Sequence, residues 1–187
     1  MRFVIVPGNG GCGNDVAGAN WYGWLSHELR SRNHLIELKN FPDPYVAKQD
    51  IWLPFIRNEL LSGVDDDTNT VVIGHSSGAL ALMRLLETTP LFGAILVSAA
   101  HTDLGDENER ASGYFDTPWD WEAQKQNAKG FYHQFHSVDD HLIPVEEARY
   151  VASQLKSEKH EYQELTDQGH FFGPFKEILE VIDKYCS

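Results

Sequence analysis

Apolar residues recur along the chain with two periods. Phe3-Val4-Ile5-Val6, Val71-Val72-Ile73 and Phe92-Gly93-Ala94-Ile95-Leu96-Val97 are nearly continuous apolar runs, which read as strands covered on both faces. Further strands are expected at 35–38, 131–137 and 161–165. Between the strands the apolar positions fall at helical spacing: Trp21, Trp24, Leu25 and Leu29; Trp52, Phe55, Ile56 and Leu60; residues 79–86; Ala148, Val151, Ala152 and Leu155; Phe175, Ile178, Leu179 and Ile182. Asn20 is expected to cap the first of these helices, and Pro54 to open or kink the second. Strands alternating with helices predict an α/β fold, a six-stranded parallel sheet with helices on both faces. No repeat, low-complexity segment or linker interrupts 1–187, so one domain is expected.

One stretch escapes both periods. Residues 99–130 run from a polar segment, Asp103 to Arg110, into Tyr114, Phe115, Pro118, Trp119 and Trp121. A loop of that length in a small domain usually has a function. Two readings stand: a lid over a site, lined by those aromatics, or an exposed excursion whose aromatics pack on the body.

Composition narrows the partners. The chain has 187 residues and a net charge of -13, from 28 acidic and 15 basic side chains. An acidic surface repels nucleic acid and anionic membrane, so neither is expected as a partner. Cys12 and Cys186 are too far apart in sequence to suggest a disulfide framework or metal spacing, and reduced thiols are expected. Asp65-Asp66-Asp67 reads as a solvated acidic turn, not a metal site. The chain opens directly into its first strand, with no leader-like or membrane-length apolar run, so the expected compartment is the cytosol, with the nucleus as a second. No cofactor is expected. Gly8, Gly10 and Gly13 match the dinucleotide spacing G-x-G-x-x-G, yet the loop runs on to Asn20 and no acidic residue ends a second strand. The loop is read instead as a source of backbone N–H groups for an oxyanion.

The chemistry centres on Gly74-His75-Ser76-Ser77-Gly78. This G-x-S-x-G lies between a β-branched strand and a helix-forming run, the context of a nucleophile elbow with Ser76 at its apex. Sites in parallel sheets form at the carboxyl ends of strands, and two further strand ends carry reactive side chains: Asp139-Asp140 and His170. The order Ser, Asp, His is that of α/β-hydrolases. A serine hydroxyl needs a base to take its proton, and the base needs a carboxylate to fix its tautomer. His170 is preferred as the base. His27, His34 and His160 are read as solvated, His133 and His136 lie within a strand, and His75 is expected to point away from Ser76. Asp140 is preferred as the acid, with Asp139 anchoring the turn. The oxyanion would meet the backbone N–H of Ser77 and one from Asn9 or Gly10.

Several runs carry a resemblance that covers essentially the whole chain: Val6-Pro7-Gly8-Asn9-Gly10-Gly11, Trp21-Tyr22-Gly23-Trp24, Ile51-Trp52-Leu53-Pro54-Phe55, Ile73 through Gly78, Asp103 through Phe115, Asp139-Asp140 and Gly169-His170-Phe171. On these the chain resembles the retinoblastoma-binding protein 9 family of small serine hydrolases, within the α/β-hydrolase superfamily. The resemblance implies a compact hydrolase core, a triad on Ser76, Asp140 and His170, and small ester or amide substrates, with aminopeptidase-like cleavage of aminoacyl groups. It also brings a partner, the retinoblastoma protein, attributed to an L-x-C-x-E motif. The corresponding stretch, Leu60-Leu61-Ser62-Gly63-Val64-Asp65-Asp66-Asp67, has neither the cysteine nor the glutamate in register, which argues against binding through that motif.

An enzyme acting on aminoacyl groups must read a free ammonium, for which a carboxylate is the usual device. Asp103, Asp106, Glu107 and Glu109 follow the fourth strand at the active-site end of the sheet, with Asp106 or Glu107 the first choices and Trp119 as pocket lining. Arg110 is expected to pair with another of these acids. The competing reading of the chain is a non-catalytic binding module on a hydrolase scaffold; a thioesterase or lipid esterase is a further rival, unsupported by any long apolar lid helix.

Overall fold

The computed structural model describes residues 1–10, 15–63 and 69–186. Gly13, Cys12 and the acidic turn Asp65-Asp66-Asp67 lie outside those residues. Six strands form one sheet in the order β2-β1-β3-β4-β5-β6, and every neighbouring pair is parallel. They are β1 (Arg2–Val6), β2 (Leu35–Glu37), β3 (Thr70–His75), β4 (Leu91–Val97), β5 (Ala128–Ser137) and β6 (His160–Leu165). The apolar runs become the central strands. β3 is buried throughout, whereas the edge strands β2 and β6 hold only half-buried and exposed residues.

Successive side chains of a strand point to opposite faces. Val4, Val6, Val72, Ala94, Leu96 and Tyr132 therefore share one core with α2 (Gln49–Phe55), α3 (Ser77–Leu86) and α6 (Val145–Leu155). Phe3, Ile5, Val71, Ile73, Ile95, Val97, Phe131 and Phe135 share the other with α1 (Tyr22–Ser31) and α7 (Glu177–Cys186). Strand order reverses between β1 and β3. Loops leaving the carboxyl ends of those two strands diverge and leave a crevice, the usual place for a ligand in such sheets.

Three local expectations are corrected, and for Pro54 one of its two alternatives, opening the helix, is excluded. Asn20 does not cap α1: Trp21 holds the cap position without a side-chain bond, and Asn20, at φ 48°, turns its amide to the Tyr22 hydroxyl at 3.0 Å. Pro54 sits inside α2, which runs directly into a wider π turn, Ile56–Leu60, after losing the Pro54 donor. The stretch 99–130 is not one irregular loop. It holds α4 (Glu107–Ala111) and α5 (Trp121–Asn127), and its last residues already belong to β5. His160 is not solvated: it opens β6, its Nε2 is buried without a partner, and burial pushes its pKa down to about 4.

The aromatics of that stretch pack on the body. Tyr114 is fully buried, and Phe115, Trp119 and Trp121 lie against the α3 side of the core. Arg84 of α3 holds them there. Its guanidinium donates to the carbonyls of Tyr114 (2.5 and 3.0 Å), Thr117 (2.6 Å) and Pro118 (3.1 Å) and lies 3.8 Å from the Trp119 ring centroid. The beginning of the stretch is fastened to α6, where Glu147 accepts the amides of His101 and Thr102 at 2.8 and 3.0 Å. No helix among the described residues is long and apolar enough to cross a membrane.

Candidate active site

The turn between β3 and α3 leaves no room for side chains at two positions. A Cβ on Gly74 would stand 2.3 Å from the carbonyl oxygen of Gly78, and one on Gly78 would stand 2.2 Å from that of Val6. Strand, helix and the end of β1 can approach this closely only because both residues are glycine. Ser76 takes up the turn at φ 54° and ψ -122°, a region that glycine enters freely and serine rarely. Its amide donates to the Val97 carbonyl at 2.9 Å, and its side chain lines a cavity of about 510 Å³ at the carboxyl ends of the strands.

His170 lines the same cavity from the loop after β6. Its Nδ1 lies 2.9 and 3.1 Å from the two oxygens of Asp140, which follows β5. Asp140 is enclosed by donors: the Ser98 hydroxyl at 2.9 Å and the amides of Leu142 and Ile143 at 2.9 and 3.0 Å. Burial works against its charge, but the hydrogen bond and charge of His170 and the two amides outweigh it and hold the carboxyl at about 2. Asp140 is therefore a carboxylate that only accepts, so His170 Nδ1 carries the proton and donates. Whenever the ring is neutral, that tautomer presents Nε2 as a lone pair. Asp139 does the anchoring: it accepts the Ser137 hydroxyl and, at 3.3 Å, the Gly169 amide, tying the His170 loop to the end of β5.

The candidate oxyanion donors separate. Asn9 and Ser77 line the cavity, Ser77 at the first position of α3, where an amide has no partner within the helix. Gly10 is removed from the set, because its amide donates to the Pro44 carbonyl at 2.7 Å.

The acidic residues also separate. Asp106 lines the cavity, but its carboxylate caps α4, accepting the amides of Asn108 and Glu109 at 2.8 and 3.0 Å. Glu107 is exposed and outside the cavity lining; Trp119 is half-buried and also outside it, its indole donating to the His101 carbonyl at 3.0 Å. Arg110 pairs with Asp103 at 2.9 Å. Glu109 is the acid left facing the cavity. Burial and the nearby Asp106 raise its pKa, the Asn9 side-chain carboxamide at 3.4 Å lowers it, and no Lys or Arg among the described residues pairs with it. Leu104, Leu142 and Phe172 give the cavity exposed apolar walls.

Three contributors carried no signal in the sequence. Ser98 reaches Asp140 from the end of β4. His136, buried, stands 3.9 Å from Asp140 and contacts the Ile143 carbonyl at 3.0 Å. His75 does point away from Ser76, but into the base of the site, where it meets Tyr22 and the His170 backbone. Among the described residues no group of three His, Cys, Asp or Glu side chains could hold a metal ion.

The chain matches the family described as "Serine hydrolase" over residues 3–177. It is 48% identical over 183 residues to serine hydrolase RBBP9 of Rattus norvegicus, an alignment covering 97% of this chain and 93% of that protein. Among crystal structures, the ydeN gene product of B. subtilis superposes with a TM-score of 0.84 at 23% identity, over 99% of this chain and 98% of that one. A monoacylglycerol lipase from Paleococcus ferrophilus superposes with a TM-score of 0.69 at 15% identity, over 98% and 92% of the two chains. At such identities the two structures speak for the fold alone.

Proposed function

The chain belongs to the serine hydrolase family, and on that premise we propose that it cleaves small aminoacyl esters and amides through an acyl-enzyme on Ser76. One observation carries the reading: His170 is hydrogen-bonded to a buried carboxylate and lines the same cavity as the serine of the elbow. In this mechanism Ser76 Oγ attacks the substrate carbonyl and His170 Nε2 takes its proton. Asp140 keeps the other ring nitrogen protonated and steadies the imidazolium. The amides of Ser77 and Asn9 receive the negative oxygen. His170 then gives its proton to the departing alcohol or amine. Water repeats the sequence on the ester, returning Ser76 and releasing the acid.

The substrate class rests on Glu109. A carboxylate held in a partly buried place without a cation gains most from a ligand that brings one, and a free α-ammonium near the scissile carbonyl would do so. The apolar walls formed by Leu104, Leu142 and Phe172 suit a hydrophobic side chain.

The test compares an aminoacyl amide with its Nα-acetyl form. Wild type should prefer the free amine, and Glu109→Gln should lose about ten- to a hundredfold of that preference, the worth of a charge-assisted contact. Glu107→Gln should keep it. Ser76→Ala should lower turnover by about four to six orders of magnitude. Equal cleavage of both forms by wild type removes the ammonium from the reading, and failure of a fluorophosphonate probe to label wild type removes the acyl-enzyme.

A further inference from the structure

Beneath the cavity, hydrogen bonds link the loop after β1 to the loop after β6. The Tyr22 hydroxyl stands 2.6 Å from His75 Nδ1, and His75 Nε2 stands 2.9 Å from the backbone carbonyl of His170. The same hydroxyl receives the Gly8 amide at 2.9 Å and the Asn20 side-chain amide at 3.0 Å. Tyr22 is fully buried and His75 is 1% exposed. Trp21 packs against both rings, at 4.9 and 5.8 Å between centroids.

The direction of each proton follows from what each group can do. A carbonyl only accepts, so His75 Nε2 carries a proton. Burial and the neighbouring His170 push the His75 pKa down to about 3, so the ring is neutral at neutral pH and Nδ1 is a lone pair. Tyr22 therefore donates to Nδ1 and keeps its own lone pairs for Gly8 and Asn20. Four bonds then run in one sense without conflict. They join three segments of the proposed mechanism: the loop of Gly8 and Asn9, the elbow, and the backbone of His170. A neutral His75 also spares His170 a like charge, with the two rings 5.0 Å apart.

We propose that Tyr22 and His75 are positioning residues that hold the base loop and the oxyanion loop in register with Ser76. The inference rests on the reading of His170 as base and Asn9 as oxyanion donor. A pair that merely filled the core would affect stability alone; a positioning pair affects turnover through particular hydrogen bonds. The two amide side chains separate these cases. Asparagine places its polar atoms near the Nδ1 position of histidine, glutamine near Nε2. His75→Gln thus retains a donor toward the His170 carbonyl, and His75→Asn does not.

The experiment measures kcat and KM on a p-nitrophenyl ester, with melting temperature and fluorophosphonate labelling alongside. Tyr22→Phe and His75→Asn should each lower kcat about 10- to 100-fold with KM within about threefold, the scale of a displaced catalytic group. His75→Gln should recover at least about tenfold of what His75→Asn loses. Combining Tyr22→Phe with His75→Asn should cost no more than about threefold beyond the worse single variant, because one linkage carries both effects. Equal kcat for His75→Asn and His75→Gln overturns the proposal, as does a Tyr22→Phe variant with wild-type kcat and only a lower melting temperature. Should His75→Asn not fold, Tyr22→Phe decides by that same criterion. Absence of fluorophosphonate labelling in wild type overturns the reading of the site, and this inference with it.

Discussion

Replacing Asp140 by asparagine changes one atom and sets four hydrogen bonds against each other. The carboxylate accepts from Ser98 Oγ, Leu142 N, Ile143 N and His170 Nδ1, all within 2.9–3.0 Å by their shorter contacts. A carboxamide accepts through one oxygen only. The two backbone amides cannot change role, so that oxygen must stay with them, and the NH2 turns toward Ser98 and His170. The Ser98 hydroxyl can reverse and accept. His170 can comply only by moving its proton from Nδ1 to Nε2. In that tautomer Nε2 has no lone pair for the Ser76 proton, so the base is disabled although every heavy atom stays in place. We expect kcat to fall about 10³- to 10⁴-fold, about 4–5.5 kcal/mol of transition-state stabilisation. The assay is ester turnover together with the rate of fluorophosphonate labelling, since both begin with the same attack. Asp139→Asn is the matched control. Asp139 accepts from Ser137 and Gly169 and touches no ring nitrogen of His170, so its loss should stay below about tenfold. If Asp140→Asn keeps more than a tenth of wild-type kcat, the tautomer argument fails. If Asp139→Asn suffers the large loss instead, the carboxylates have been assigned in the wrong order.

Two further outcomes follow from the fold. Stability should fall on acidification from about pH 6.5, because burial holds His75 near 3 and His133 and His160 near 4, so the unfolded chain binds more protons through that window. Asp140, held at about 2, adds loss of the same sign below about pH 4, while the raised Glu109 opposes it; a urea midpoint that is flat or rises from pH 6.5 to 4 would contradict this. Arg84→Met should cost about 3–5 kcal/mol, because it leaves the Glu87 carboxylate, 2.7 Å from the guanidinium, without its cation. It should also speed proteolysis around Tyr114 to Pro118, whose carbonyls the guanidinium holds, and an unchanged melting temperature and cleavage rate would refute that role.

The parts of the fold legible in the sequence are those where local and tertiary preference agree. β1, β3 and β4 are apolar at nearly every position because both faces are covered, and the elbow is written in two glycines that permit one close approach. The short helices α4 and α5 were hidden because five or seven residues make too few turns to show a period. Asn20 misled for a related reason. Its residue type suits a cap, but the Tyr22 hydroxyl, two residues on, claims the side chain. The choice between Glu107 and Glu109 needed the helix itself. Two residues along a helix differ by about 200° in direction, so one turns to solvent and the other to the cavity. The contacts of His75 with Tyr22 and the His170 backbone join residues 53 and 95 positions apart, and no local pattern announces them.

The backbone of Ser76 bears on any attempt to toughen this protein. At φ 54° and ψ -122° the serine occupies territory that suits glycine, at a cost of about 1–3 kcal/mol against a relaxed residue. The most heat-resistant residue at position 76 is therefore one that cannot form an acyl-enzyme. A library screened for thermal tolerance alone would drift toward Ser76→Gly and report progress while the proposed chemistry disappeared. Stabilisation campaigns on this scaffold need turnover in the readout from the first round, or position 76 withheld from the library.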